Sequence, residues 1–378
     1  MSWRVPLSTL PMPEEDVAAV VACLEDGWLT MGPRTQAFEE ALAGYAGTEH
    51  AVAVSSGTAA LHLTCLAAGI GPGDEVIAPG LTFVASASAA EFCGATPVLC
   101  DIVGPAEPNL DVADVAERLT ERTKAVVAVH FCGYPANVEA LRALCDERGI
   151  VLIEDCAQAL GARTRAGAMV GTLGDAGCLS FFSKKQLPLG EGGAVITDDA
   201  DLAAKVRSLR SHAMTTVTWE RHRGHADSYD IVDIGFNYRL DEPRAALGLS
   251  RLPRLEDEIA ERRRVARAYR ERLAGLDGLG LIWADEDVDR SSHFAFPVLL
   301  GDRERRDAFR DALRERGIQT TWYPPLSQLT IFQERSPGLS LPRAEDAAYR
   351  HCALPMSPTL TGEQIGEVVS AAAAALEA

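Results

Sequence analysis

From residue 50 to residue 199, short apolar runs alternate with stretches of helical periodicity, an order that few architectures accept. The runs are HAVAVSS (50–56), DEVIAPG (74–80), TPVLCDI (96–102), KAVVAVHFCG (124–133), IVLIEDCAQ (150–158), GCLSFFS (177–183) and GGAVITDD (192–199). Between them lie the helical patterns GTAALHLTCLAAG, TFVASASAAEFCG (82–94) and NVEALRALCDERG (137–149), the last ended by Gly149. The 124–133 run is almost continuously apolar, as befits a strand buried on both faces. Strand and helix alternating at crossover length predict an α/β fold, a mostly parallel central sheet with helices on both faces.

The pattern changes after residue 250. LPRLEDEIAERRRVARAYRERL reads as a long charged helix leading into a second unit. Beyond it come a strand at 291–301, a helix at 303–317 and the extended piece IQTTWYPP (318–325). EDAAYRHCA and TGEQIGEVVSAAAAALEA read as helices. The expected organisation is a large domain over residues 1–250 and a smaller C-terminal α+β domain over 251–378, on which the N-terminal segment can pack.

Charge and thiol usage narrow the partners. A net charge of −18 argues against a nucleic acid, which would need a basic face, but not against a small phosphorylated ligand. Basic residues do cluster at 260–273, where Val265, Ala268, Tyr269 and Leu273 at helical spacing predict an amphipathic helix with a solvated basic face. No apolar run reaches the roughly 20 residues that span a bilayer. The opening MSWRVPLSTLPMPEED lacks a signal-peptide pattern; the nine cysteines show no CxxC pair, and Cys65, Cys93, Cys100 and Cys178, in apolar segments, read as buried thiols of a reducing cytoplasm.

Four strand ends carry residues suited to one ligand, and ligands of open α/β sheets sit beyond such ends. In SFFSKKQLPLGEGG (180–193), Lys185 follows a strand that ends at Ser180 and precedes a Glu-Gly-Gly turn. A lysine so placed can be kept bare and aimed at a carbonyl, as holding pyridoxal phosphate as a Schiff base requires; the alternative is a surface lysine. In SSGTAAL (55–61), Gly57 and Thr58 open a helix straight after a strand, offering free N–H groups to a phosphate or merely an N-cap. Phe83, in PGLTFVAS, can lie on an aromatic ring or belong to the core. Asp155, at the end of VLIED, needs a cationic partner, which a protonated pyridine nitrogen would supply; Gln158 could reach the ring hydroxyl. A helix-capping Asp with an exposed Gln is the other reading.

SGTAAL, the P-x-x-T-F turn, E-D-x-A-Q, S-F-x-x-x-K-x-L-x-x-G-E-G-G and G-F-N-Y-R-L-D-E (235–242) stand in this order over residues 56–242. In this the chain resembles the DegT (DegT/DnrJ/StrS) family, pyridoxal-phosphate enzymes of the aspartate-aminotransferase fold (fold type I), dominated by nucleotide-sugar aminotransferases. The resemblance implies that Lys185 is the Schiff-base lysine and acid–base catalyst, that Asp155 pairs with the pyridine nitrogen and Gln158 with the ring hydroxyl, and that Phe83 stacks on the ring. It implies phosphate contacts from Gly57, Thr58 and Ser180, and from Asn237 of a neighbouring subunit, hence a homodimer with a shared site. Arg239 would bind substrate phosphate or fix its turn; Lys184 would be a solvated neighbour or a substrate-phosphate contact, and Tyr323 a further substrate contact. Ser327 stands in YPPLS where many relatives have histidine.

The implied reaction is a ping-pong transfer of an amino group to C4 of a nucleotide-linked 4-keto-6-deoxyhexose, with glutamate as donor. C3 ketosugars and ketocyclitols, aminated with glutamine, are the alternatives; sugar dehydratases replace the lysine with histidine, and a non-catalytic regulator would lose the pocket residues. Such enzymes often serve antibiotic or surface-glycan pathways. His212, His222 and His225 lack a recognisable ligand spacing, so no metal is expected, and residues 211–230 read as a mobile loop beside the active site.

Overall fold

The computed structural model describes residues 3–216, 218–224 and 227–377. The strands in chain order are β1 (His50–Val54), β2 (Glu75–Pro79), β3 (Thr96–Cys100), β4 (Ile102–Gly104), β5 (Glu107–Leu110) and β6 (Thr123–Val129). They continue with β7 (Val151–Asp155), β8 (Ala176–Ser180), β9 (Gly193–Thr197), β10 (Gly280–Leu281), β11 (Phe296–Leu299) and β12 (His351–Leu354). Seven of them form the central sheet in the order β1-β9-β8-β7-β6-β2-β3. Only β9 runs antiparallel to its neighbours, so the alternation of runs and helices predicted the sheet correctly. The C-terminal ends of β1, β8, β7, β6 and β2 therefore share one edge, where ligand chemistry can converge.

Why these segments are strands is visible in their burial. Every residue of β2 and β9 is buried, and in β6 only Lys124 reaches solvent. The outer edge at β1 is closed by charge. Glu39 accepts the Ala53 N–H at 2.8 Å, and Arg210 bonds both Glu39 and the Ala53 carbonyl. A free strand edge invites pairing with another chain, and this ion pair blocks it.

A second apolar cluster gathers Val5, Val265, Tyr269, Phe296, Phe309, Leu313 and Val368 around the three-stranded sheet β10-β11-β12. Residues 326–345, although late in the chain, are stitched onto the large sheet. Leu326 N–H donates to Gly80 O at 2.7 Å, just after β2, and a Cβ on Gly80 would collide with Leu341. Asp101, just past β3, caps the helix Pro342–Arg350 by accepting from the N–H groups of Arg343 (3.1 Å) and Ala344 (2.8 Å).

Several local expectations are corrected. HCA of EDAAYRHCA is not helical: His351–Leu354 pairs antiparallel with Phe296–Leu299, because β11 needs a partner on that side. The expected strand 291–301 narrows to β11, its polar start Ser291–His293 bonding instead to the turn at Gly133. IQTTWYPP is extended, held by single bridges at Ile318 and Thr321. The arginines of Leu255–Leu273 do not form a purely solvated face. Arg262, Arg263, Arg264 and Arg270 donate to the carbonyls of His293, Ser291, Leu360 and Ile282, tying the helix to later segments. Residues 211–230 carry a bridge, Met214 to Ile231, and the short helix Thr218–His222, whose Trp219 meets Trp28 with centroids 4.8 Å apart. His225 lies outside the described residues. All nine cysteines are buried and unpaired, and among the described residues no helix is long and apolar enough to cross a membrane.

Candidate active site

Ser180 ends β8, and the chain then turns rather than extending: Lys185 N–H donates to Phe182 O at 2.8 Å. This tight turn separates the two lysines, leaving Lys184 exposed and Lys185 half-buried. Burial lowers the Lys185 amine from its ordinary 10.5 to about 8, even though Asp155 and Cys132 pull it upward. An amine with that value is partly deprotonated near neutrality, as a nucleophile and proton carrier must be.

Asp155 sits at the end of β7, beside Cys178 of β8, and is 5 % exposed. Its carboxylate accepts from the Ser86 hydroxyl at 2.7 Å and from Ala157 N–H at 3.0 Å. Among the described residues no Lys, Arg or His lies in ion-pair range of it, so a cation is the one partner its environment leaves to be supplied. Gln158 follows on the same exit. Cys132 N–H donates to Gln158 Oε1 at 2.7 Å, which orients the side-chain NH₂ as a donor.

The helix Gly57–Ala67 starts two residues after β1, with Ser56 as its cap accepting from Ala59 N–H at 3.0 Å. Helix geometry leaves the first-turn N–H groups of Gly57 and Thr58 free for an anion. Gly57 is required there: a Cβ would sit 2.9 Å from that of Ser180. Phe83, in the turn after β2, is 68 % exposed, an aromatic face with nothing on it. Its carbonyl accepts from Ser86, so the ring and Asp155 are linked through one residue.

The structure thus brings Gly57, Thr58, Ser180, Phe83, Asp155, Gln158 and Lys185 to one sheet edge. Lys184 and Tyr323 line a small adjoining cleft with Leu7, Met356 and Phe294, whose ring also meets Lys185. Asn237 is exposed on a segment bridged to Ser211 and shares no contact with Lys185 in the single chain. Arg239 lies beside Val54, half-buried, with Nη1 lacking a partner among the described residues. Ser327 turns away from the site and donates to Glu345 at 2.8 Å.

Four residues of this region were missed from the sequence: Ser86, Cys132, Gln186 and Phe294. Gln186, next to Lys185 and 2 % exposed, donates to Gln158 O at 2.6 Å and to Ser292 Oγ at 3.0 Å. Nothing in SKKQLPL marks Gln186 as buried, since it follows two lysines. Phe294 was hidden inside an expected strand.

Glu154, His130 and Cys156 lie close enough together for an ion, but the lone pairs of Glu154 and His130 are spent. Glu154 accepts from His130 Nε2 (2.9 Å) and from the N–H groups of Gly171 (2.7 Å), Leu173 (2.8 Å) and Gly174 (2.6 Å), while His130 Nδ1 accepts from Ala136 N–H at 3.0 Å. Burial would raise the Glu154 carboxyl; the bonds from His130 and these backbone groups outweigh it and hold it below the usual range. Glu154→Gln puts an NH₂ against existing donors and is expected to cost about 3 kcal/mol or more, read by urea denaturation.

Residues 11–373 match the DegT/DnrJ/EryC1/StrS aminotransferase family. The chain belongs to that family. Among solved structures it is similar to DesV of S. venezuelae in complex with a ketimine intermediate, at 37 % identity, 100 % coverage of both chains and a TM-score of 0.91. Aminotransferase TlmJ from Streptoalloteichus hindustanus is 35 % identical, with 100 % and 99 % coverage and a TM-score of 0.90. Helicobacter pylori PseC, an aminotransferase involved in the biosynthesis of pseudoaminic acid, is 28 % identical, with 100 % coverage of both chains and a TM-score of 0.91. As a DegT-family member the chain is a pyridoxal-phosphate-dependent sugar aminotransferase of fold type I.

The residues present fit that cofactor. The uncompensated Asp155 carboxylate suits a protonated ring nitrogen, and the glycine-lined cradle at Gly57 suits its phosphate. When bound, the cofactor supplies an electron sink for the pair left by a broken C–H bond. Lys185 Nζ would carry the proton, Asp155 would keep the ring nitrogen charged, and Gln158 would donate to the ring hydroxyl.

Proposed function

We propose that this chain moves an amino group from an amino acid, glutamate in the first instance, to C4 of a nucleotide-linked 4-keto-6-deoxyhexose. The observation that carries the catalytic half of this reading is the half-buried Lys185 amine, lowered to about 8 and set near the unpaired Asp155 carboxylate. The roles of Lys185, Asp155, Gln158, Phe83, Gly57, Thr58 and Ser180 follow from their convergence. C4 and glutamate follow the commonest activity of the family. C3 ketosugars and ketocyclitols aminated with glutamine form the second reading.

The active unit is a homodimer in which Asn237 reaches its partner's phosphate site. Its exposure in the single chain and the exposed apolar neighbours Val232 and Ile234 support that contact. Arg239, with its unpartnered Nη1, together with Lys184 and Tyr323 would contact substrate. Nine free thiols support a cytoplasmic setting.

An absorbance spectrum before and after glutamate tests the reading. The visible band of the lysine-bound cofactor is expected to give way to the near-ultraviolet band of the amine form, and the correct ketosugar to restore the colour. A band that bleaches with glutamine alone would replace the donor. Restoration only by 3-keto sugars would replace C4.

A further inference from the structure

We propose that Phe294 is a positioning residue for Lys185, its ring face holding the amine over the site whenever that amine is not bonded to cofactor. This rests on the reading of Lys185 as the cofactor lysine. Lys185 Nζ lies 4.1 Å from the centroid of the Phe294 ring. An aromatic face attracts an ammonium without the strong pull of a carboxylate, so the amine stays in place yet still surrenders its proton. Asp155 and Cys132 are the titratable groups that act on the amine, and Lys184 is turned to solvent.

The ring is held by backbone built for the purpose. Cys132 adopts the left-handed conformation (φ 56°, ψ 15°), unusual for a residue with a side chain, and Gly133 follows at φ 93°. In that turn Cys132 gives its N–H to Gln158 Oε1 (2.7 Å), and its carbonyl receives the Phe294 N–H (3.0 Å). Gly133 O receives Ser292 N–H at 3.1 Å, and a Cβ on Gly133 would sit 2.9 Å from Phe294 N, so no other residue allows this approach. Gln186 closes the circuit from Lys185 back to Gln158 and Ser292. One strained turn therefore places the ring under the lysine and the amide of Gln158 together.

The test measures the pH dependence of amine labelling at Lys185 by acetic anhydride and mass spectrometry. It uses the full chain freed of cofactor, with exposed Lys124 as internal reference. Phe294→Leu and Phe294→Met keep bulk but remove the ring face. Losing a cation stabiliser lowers the midpoint, so both variants are expected to shift Lys185 down by roughly half to one pH unit and to label it about threefold faster or more at pH 7. Phe294→Tyr is expected to keep the wild-type midpoint. Wild-type midpoints in both Leu and Met variants, with Lys124 labelling unchanged, would overturn the proposal, as would a shift in the Tyr variant equal to theirs. Borohydride fixation of cofactor in the wild-type chain is read separately: its failure sinks the cofactor reading of Lys185, whereas an unmoved midpoint sinks the role of Phe294.

Discussion

Lys185→Ala is expected to abolish amino transfer, with a fall of roughly 10⁴-fold or more, since one side chain supplies both the covalent attachment and the proton carrier. Borohydride should then fix no cofactor to the chain. Label found on Lys184 instead would overturn the assignment, and with it the turn geometry that separates the two lysines. Loss of the fold is not the expected cause. The folded amine, at about 8, holds its proton less tightly than an unfolded lysine at 10.5. The unfolded state therefore binds more protons between those values, and stability rises with pH across that window. Below pH 8 the buried ammonium is a net cost, so the alanine variant at pH 7 should melt no earlier than the cofactor-free wild type. Mixing Lys185→Ala with Asn237→Ala chains should restore activity, because one site of the mixed dimer is complete. Subunit exchange without recovery would remove Asn237 from the partner's site.

Asp155→Asn is expected to leave cofactor bound and turnover reduced by roughly 10²–10³-fold, the scale for removing one preorganised electrostatic partner of the reacting group. Asparagine can keep its oxygen on the Ala157 N–H and turn its NH₂ to the Ser86 hydroxyl, which is then free to donate to Phe83 O, so the local geometry survives while the charge is lost. A second readout separates charge from shape. Asp155 pulls the Lys185 amine upward, so in the cofactor-free asparagine variant its midpoint should fall below about 8. Unchanged turnover by stopped-flow spectroscopy would remove Asp155 from the role given to it.

The sheet and its seven strands were legible because apolar runs at crossover length leave almost no freedom of topology, and the placing of Gly57, Asp155 and Lys185 at or just beyond strand ends was legible for the same reason. What escaped was held by long-range backbone bonds. The left-handed turn at Cys132, a residue with no compositional mark of a turn, appears only once Gln158 and Phe294 are seen to need its N–H and carbonyl. HCA looked helical by continuity from EDAAYR and became part of a strand because β11 had an open edge. Ser86 read as one more small residue of a helix, and nothing nearby in sequence marks it as the donor to Asp155. Tertiary partners decided each of these, as they do wherever local propensity is weak.

The stitching of residues 326–345 to Gly80 and Asp101 bears on how this enzyme could be recombined with its relatives. The wall behind the Phe83 turn is written in two places more than 240 positions apart, as the bond from Arg343 to Asp101 shows. A chimera joined at the long helix Leu255–Leu273 would import a foreign Leu326 loop and helix cap against a native Gly80 turn. Swapped halves inherit compatible chemistry only when those two seams are exchanged as a matched set.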